Sequence, residues 1–267
     1  MTRPGDRLRL FLGGDVMTGR GIDQILPQSC DPALFEDCMT SARGYVALSE
    51  RVSGAIPRAV GPDYVWGDLL EDIARREVDL RLVNLQTAIT SHGAHDPSRG
   101  THYRMHPGNV ALLGAARIDA VSLANNHALD WGADGLAETL TTLEAAGIAV
   151  CGAGRNQARA FAPRELPLAD GGRLLLVGLA LGDSGVPPSW AEGPDRPGLA
   201  RTPPGEAAAR AASLLAELRR FRLQRANDEA RGRLAWRMDR EAGRFGGRVA
   251  ETPQGPLRLE WDDPRSS

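Results

Sequence analysis

Residues 119–154 read DAVSLANNHALDWGADGLAETLTTLEAAGIAVCGAG, and their periodicity decides the fold. Asp119–Leu123 is a short apolar run of strand type. A polar stretch, Asn125-Asn126-His127 and then Asp130, ends it. Gly132–Ala146 repeats apolar residues at helical spacing and stops at Gly147, a residue suited to the left-handed turn that closes a helix. Ile148–Cys151 is strand-like again. Strand, helix and strand in this order form the unit of a layered α/β domain.

Working outward, the same alternation recurs. Leu8–Leu12 (LRLFL) is a strand-like run that stops at Gly13-Gly14, with Asp15 just beyond. Ile22–Asp63 carries Pro27, Pro32, Pro57 and Pro62 and is expected to be rich in loops. Trp66–Glu77 has Leu69, Leu70, Ile73 and Ala74 at helical spacing, Asp79–Leu85 is a second strand, and Asn109–Arg117 is a short helix. Leu174–Leu181 (LLLVGLAL) is a continuous apolar run, as expected of a strand covered on both faces. Composition then shifts. Leu181–Pro204 is rich in glycine and proline, Glu206–Arg240 reads as helix with a break near Asn227, and Val249–Glu251 and Leu257–Trp261 read as short strands. The expected organisation is a main domain over residues 8–204 and a helical and short-strand tail over residues 205–267.

Bulk properties exclude several classes of function. A net charge of -2 provides no field that would recruit nucleic acid or an anionic membrane. No stretch reaches the roughly 18 apolar residues of a membrane span, and MTRPGDRLRL lacks the apolar core of a secretory signal. The three cysteines form no CxxC pair and are odd in number, which argues against a disulfide framework. A cytoplasmic protein without nucleic-acid partners or direct membrane insertion is expected. All basic residues are arginine, which fits GC-rich coding and assigns no function.

The polar residues cluster after strand ends: Asp15 after the first, Gln86 after the second, and Asn125 to His127 after the third. Open α/β sheets bind ligands outside the carboxyl ends of their strands, so these segments are expected to converge. A carboxylate such as Asp15 is a hard ligand suited to Mn, Mg or Fe, and an asparagine side chain offers a neutral carbonyl oxygen. An adjacent histidine, His127, can serve as general acid or steady a phosphate oxygen. The structural alternative is a set of turn residues capping their own backbone. His92, His95, His102 and His106 crowd one loop, with Arg104 as a fork donor for a phosphate, although Gly100 and Pro107 argue against a helix that would align His102 with His106. Asp183 and Ser184 follow the last strong strand. No GxSxG, P-loop or GxGxxG motif is present.

Five segments together, GGDVMTGRGID (13–23), VNLQTAIT (83–90), YRMHPGNV (103–110), LANNHALDWGADGLAETLTTLEAAGI (123–148) and GAGRN (152–156), resemble the CapA family of capsule or poly-γ-glutamate biosynthesis proteins. That family lies within the calcineurin-like metallophosphoesterase superfamily, and the order and spacing agree over roughly residues 8–200. The resemblance implies a layered α/β/β/α metallophosphoesterase-like fold and a dinuclear metal site holding Mn, Fe, Zn or Mg. It implies Asp15 and Asn126 as metal ligands and His127 as the acid near the leaving group. Gln86 stands where the family's NLE motif has glutamate, so it would be a neutral ligand. Asn84, Asn125, Arg104 and His106 would contact substrate.

A second departure is larger. The family continues into further histidine motifs, and this chain has no histidine after His127. The stretch LAELRRFRLQRANDEARGRLAWRMDREAGRFGGRV resembles the C-terminal tail of longer members. The expectation is an internal deletion near Ala208–Leu218 and an incomplete second sheet. The function expected from the sequence is metal-dependent phosphoester hydrolysis in capsule or poly-γ-glutamate biosynthesis, on a phosphorylated or polyglutamate-related small molecule or polymer. The alternatives are a non-catalytic accessory or binding protein whose metal site has been lost, and a truncated product with a compromised fold.

Overall fold

The structure is a computed structural model, and it describes residues 8–203 except 170, 171 and 192, together with residues 205, 206, 208, 209, 212, 213, 216, 235, 236, 249–252 and 255–258. Two compact units are distinguished, Phe11–Ala207 and a second made of Met1–Leu10 with Ala208–Ser267.

In the larger unit the elements follow in chain order: β1 (Leu10–Val16), α1 (Arg20–Asp23), β2 (Ala33–Glu36), β3 (Met39–Ser41), α2 (Ala42–Ser53), α3 (Leu69–Arg75), β4 (Leu80–Leu85), β5 (Ala88–Ile89), β6 (Arg104–Met105), α4 (Ala111–Ala115), β7 (Ala120–Ser122), α5 (Gly132–Ala145), β8 (Ala149–Cys151), β9 (Ala153–Gly154), α6 (Gln157–Phe161), β10 (Arg164–Pro167), β11 (Arg173–Leu176) and β12 (Gly198–Leu199). The main sheet has the order β1-β4-β7-β8. β4, β7 and β8 run parallel, with Val83 beside Val121 and Val121 beside Val150. This mixed α/β architecture, a parallel sheet with helices, is consistent with a metallophosphoesterase-like fold.

The register brings the carboxyl ends of the three strands to one level, because Asn84 pairs with Ser122 and Ser122 with Cys151. Everything that follows those residues therefore opens on the same side of the sheet. α5 fixes that edge. Its buried residues, Gly135, Leu136, Thr139, Leu140 and Leu143, make one apolar face. Burying each of its leucines stabilises the fold by about 1.5–3 kcal/mol. Thr139 Oγ1 accepts from Ile89 N at 2.9 Å and donates to Gly135 O at 2.8 Å, which ties α5 to β5. The helix ends where the periodicity predicts, at Gly147 with φ +74°.

Three expectations are corrected. β1 continues through both glycines to Val16, so Asp15 lies within the strand and not after it. The segment 22–63 holds the twelve-residue helix α2 and the hairpin β2-β3. α2 escapes a periodicity reading because it buries only Ala42 and Val46, while Leu48 and Val52 are exposed. The apolar run after residue 173 is not a strand covered on both faces. β11 pairs with β10 as an antiparallel hairpin, and Leu174–Val177 are half-buried.

The smaller unit, described by itself, contains an antiparallel three-stranded sheet of β13 (Ala235–Trp236), β14 (Val249–Thr252) and β15 (Gly255–Arg258). β13 falls inside the expected helix 206–240 and is a strand. Most of that expected helix lies outside the described residues, as do residues 259–261 of the last expected strand. Among the described residues no helix is long and apolar enough to cross a membrane. Cys30, Cys38 and Cys151 are free thiols.

Candidate functional site

The site begins at Asp15, whose backbone sits at φ +50°. Aspartate is among the few non-glycine residues that adopt this region readily, and such conformations gather at functional sites. Its Oδ1 accepts from Asn84 Nδ2 at 2.8 Å and from Gln86 Nε2 at 3.2 Å. Asn84 Oδ1 in turn accepts from Asn125 Nδ2 at 2.9 Å, and the same amide donates to Leu85 O. Asn125 Oδ1 then accepts from His127 N at 3.0 Å. A continuous hydrogen-bonded path thus runs from the β1 carboxylate across the end of β4 to His127.

His127 is buried and its ring is fixed on two sides. Nδ1 lies 2.7 Å from Oδ2 of Asp130, which is fully buried, and Tyr103 N donates to the same oxygen at 2.7 Å. The Tyr103 ring stacks on the imidazole, centroid to centroid 3.9 Å. With Nδ1–H donated to a carboxylate, Nε2 is the nitrogen left for a ligand. The other oxygen of Asp130 pairs with Arg99 Nε at 3.3 Å. That contact is close enough for an ion pair yet is angled away from a hydrogen bond, since both atoms are buried without one. The Arg99 guanidinium lies 4.8 Å over the Trp190 ring, and the Arg20 guanidinium 4.6 Å over the Tyr103 ring.

An open cleft of about 360 Å³ lies against these groups, lined by Ser98, Arg99, Thr101, Tyr103, Asn126 and His127. Asn126 abuts Gly185, where a β-carbon would come within 3.3 Å of the asparagine Cβ and where φ is +72°. That glycine belongs to the segment after β11, so a fifth stretch of chain reaches the site.

The structure brings together six of the residues expected from sequence: Asp15, Asn84, Gln86, Asn125, Asn126 and His127. Arg104 and His106 lie elsewhere. Arg104 sits 3.7 Å over Trp131 and lines a small cavity of about 20 Å³ beside Asp23, Cys30 and His102. His106 N donates to Asp23 Oδ1 at 2.8 Å, and its Nδ1 caps a turn by accepting from Gly108 N. Burial pushes the Asp23 carboxyl up despite bonds from His106, Cys30 and Asn109. Of the other loop histidines, His92 bonds Glu138, whereas His95, stacked on Phe35, meets the His102 ring edge-on at 5.0 Å, and His102 Nε2 bonds Asp96 O. Ser184 closes a local turn on Leu181 O.

Arg99 and Tyr103 escape the sequence reading, because their roles depend on a loop fold that no periodicity encodes. Asp130 stands in the polar stretch singled out from sequence but without a role, and its place three residues after His127 in one tight turn, Asp130 N donating to His127 O, is what gives it one.

A metal centre was tested on the donor set. Among the described residues no three His, Cys, Asp or Glu side chains come together in a metal-binding group. Asp15 stands alone among amides. Gln86 Oε1, however, is buried without a hydrogen-bond partner while Gln86 Nε2 reaches the Asp15 carboxylate. A carboxylate beside an orphaned amide oxygen suits one hard divalent cation such as Mg or Mn once the Gln86 amide turns over, because Nε2 and not Oε1 faces Asp15. A single negative charge does not fit the two-cation centre that the resemblance implies.

Comparison with known proteins adds the following. The sequence profile described as bacterial capsule synthesis protein PGA_cap matches residues 9–230. Two proteins from Mycobacterium tuberculosis, strains CDC 1551 / Oshkosh and ATCC 25618 / H37Rv, are each named as a probable polyglutamine synthesis accessory protein. Each is 43% identical to this chain over 194 residues, covering 73% of this chain and 51% of the relative. An uncharacterized protein from Sinorhizobium fredii (strain NBRC 101917 / NGR234) is 34% identical over 134 residues, 46% of this chain and 28% of its own length. The chain therefore spans about half the length of these two mycobacterial relatives.

Proposed function

This chain belongs to the family of bacterial capsule synthesis proteins, and from that premise we propose that it serves capsule or poly-γ-glutamate formation by divalent-cation-assisted hydrolysis of a phosphoester. The observation that supports this reading is the Asp130–His127 pair on the wall of an open cleft at the strand ends. A buried carboxylate on Nδ1 fixes the tautomer and the ring orientation, and leaves Nε2 to hold or give a proton. Tyr103 holds the imidazole face and, through its backbone N–H, the carboxylate as well. Protonated at Nε2, His127 would hand that proton to the departing alkoxide.

Asp15, Gln86 and Asn126 would hold the cation, with Asn84 and Asn125 orienting the Asp15 carboxylate and the His127 backbone through the hydrogen-bonded path described above. When bound, such a cation supplies Lewis-acid polarisation of a phosphoryl oxygen. The amides lend ligand atoms without charge, so affinity should be modest and a cation should exchange during purification.

Two measurements on the full chain test this. Asp15→Asn keeps a side chain that tolerates positive φ, so its fold should be unchanged while binding of Mn or Mg is lost in calorimetry. His127→Ala should lower kcat on an alkyl phosphate such as glycerol phosphate, whose alkoxide must be protonated, by about 10²–10⁴-fold, the usual contribution of a positioned acid, and much less on p-nitrophenyl phosphate, whose phenolate leaves unaided. Absence of both cation binding and turnover in the wild-type chain would leave the second reading, an accessory protein that binds a ligand without converting it. The lone carboxylate favours that second reading.

A further inference from the structure

We infer that Arg99 is the oxyanion receptor of the cleft, taking a phosphoryl or carboxylate group of the ligand on the outer edge of its guanidinium while His127 Nε2 meets the same group. The inference rests on the phosphoester reading for the orientation of the ligand, and it assigns a role to a residue that the cation and the acid leave unused.

Arginine 99 is held in an unusual way. Its side chain is only 18% exposed, yet among the described residues the one carboxylate within ion-pair distance is Asp130, approached through Nε, while Asp96 feels its charge from farther away. No described carboxylate or carbonyl takes its two terminal nitrogens. Other arginines of this unit are engaged there: Arg20 through NH2 by Glu36 at 2.7 Å, and Arg196 through NH2 by Ala191 O at 2.7 Å. The Trp190 ring supports the Arg99 guanidinium at 4.8 Å. A fork lying on an aromatic face is already oriented, so little side-chain entropy is lost when it binds.

The charges agree with this geometry. Asp130 is shared by His127, Tyr103 N and Arg99. The carboxylate lies behind the cleft wall, and the cleft is lined by Arg99, Thr101, Tyr103, Asn126, His127 and Ser98, whose hydroxyl is already given to Asp96 Oδ1 at 2.6 Å. A guanidinium, an imidazole protonated at Nε2 and the Thr101 hydroxyl offer donors to one anion, and a guanidinium matches the spacing of two oxygens of phosphate or carboxylate. Neutral or cationic ligands would leave these donors unpaired.

The test is calorimetric titration of the full chain with inorganic phosphate and, in a parallel arm, with glutarate. Binding of either by the wild-type chain is expected. Arg99→Lys keeps a charge beside Asp130 but removes the planar fork, and should weaken binding about tenfold or more, the loss of one charge-assisted hydrogen bond. Arg196→Lys should bind as the wild type does. Trp190→Leu, which keeps the charge and removes its support, should weaken binding less than Arg99→Lys. Thermal unfolding of each variant separates these effects from misfolding. Stronger binding of glutarate than of phosphate supports the receptor and assigns it to the carboxylates of a polymer. Phosphate binding that depends on Arg99 in a chain without turnover upholds the receptor and removes the hydrolase reading. Equal affinity in Arg99→Lys and wild type, or no binding of either anion by the wild type, overturns it.

Discussion

Asp130 is fully buried, and three groups divide its two oxygens: His127 Nδ1 and Tyr103 N on Oδ2, Arg99 Nε on Oδ1. Removing its charge has two separable consequences. Arg99 is left mostly buried with no carboxylate in ion-pair contact and only Asp96 farther off, and breaking a buried pair on one side costs up to about 3–5 kcal/mol because the surviving charge is poorly compensated. The imidazole also loses the acceptor that sets its tautomer. Asp130→Asn should therefore lower the urea midpoint strongly. Asp130→Asn combined with Arg99→Gln should recover part of the loss, since the orphaned charge is then gone. A double variant no more stable than Asp130→Asn alone would show that Arg99 and Asp130 do not act as a pair. Tyr103 differs from both: its backbone N–H reaches Asp130 whatever the side chain, so Tyr103→Leu keeps that bond and removes the stack on His127 together with the ring under the Arg20 guanidinium.

Among the elements, the close approach of β8 to the segment after β7 positions the site. Gly152, next after β8, has φ +79°, and a β-carbon there would fall 2.5 Å from Ala124 Cβ and 3.0 Å from Ala124 N. Ala124 immediately precedes Asn125, the residue that bonds Asn84 and His127. Gly152→Ala should cost about 1–3 kcal/mol from crowding, beyond the strain of a positive φ, and should displace the asparagines. Gly147→Ala is the control: φ is +74°, but nothing lies within 4 Å, so only the backbone strain remains. Thermal unfolding of the two variants measures the difference, and equal losses would remove the steric account. The GAGRN segment entered the sequence reading through the family resemblance alone, whereas β4, β7, α5 and β8 were legible from apolar periodicity, with Gly147 marking the end of α5. α2 was not legible, because Leu48 and Val52 break the polar side of its pattern. Asp15, Gln86, Asn125, Asn126 and His127 could be read from their positions after apolar runs, although Asp15 proves to lie within β1, and Asn84, inside β4, came only from the family resemblance. Arg104 and His106 could not be separated from the site, because their neighbourhood in sequence does not show that they turn toward Trp131 and Asp23.

For the molecule as a whole, acid stability follows from carboxylates whose folded environments differ in sign. Burial pushes the Glu138 carboxyl up, but hydrogen bonds from Thr90, His92 and Ser91 outweigh it and bring the value down to about 2 from 4.5. Asp96 is also lowered: the Ser98 hydroxyl does most, against burial, with help from Ser98 N, Trp190 and Arg99. A carboxylate whose folded value lies below its unfolded value contributes stability that is fully present above the unfolded value. That contribution is lost as pH falls through the folded value. For Glu138 the window runs from about 4.5 down to about 2. Asp23 acts the other way. Burial raises it, so its ionisation costs stability at neutral pH, and that cost lessens as acid is added. Glu138 joins α5 to residues 90–92 just after β5, so its protonation loosens the same edge that carries Asp130 and Trp131. The melting temperature should therefore fall between pH 4.5 and pH 2, and Glu138→Gln should flatten that fall while lowering stability at pH 7. A Glu138→Gln chain with an unchanged acid limb would show that Asp96 and other carboxylates govern the transition, and that the clamp on residues 90–92 is not what acid releases.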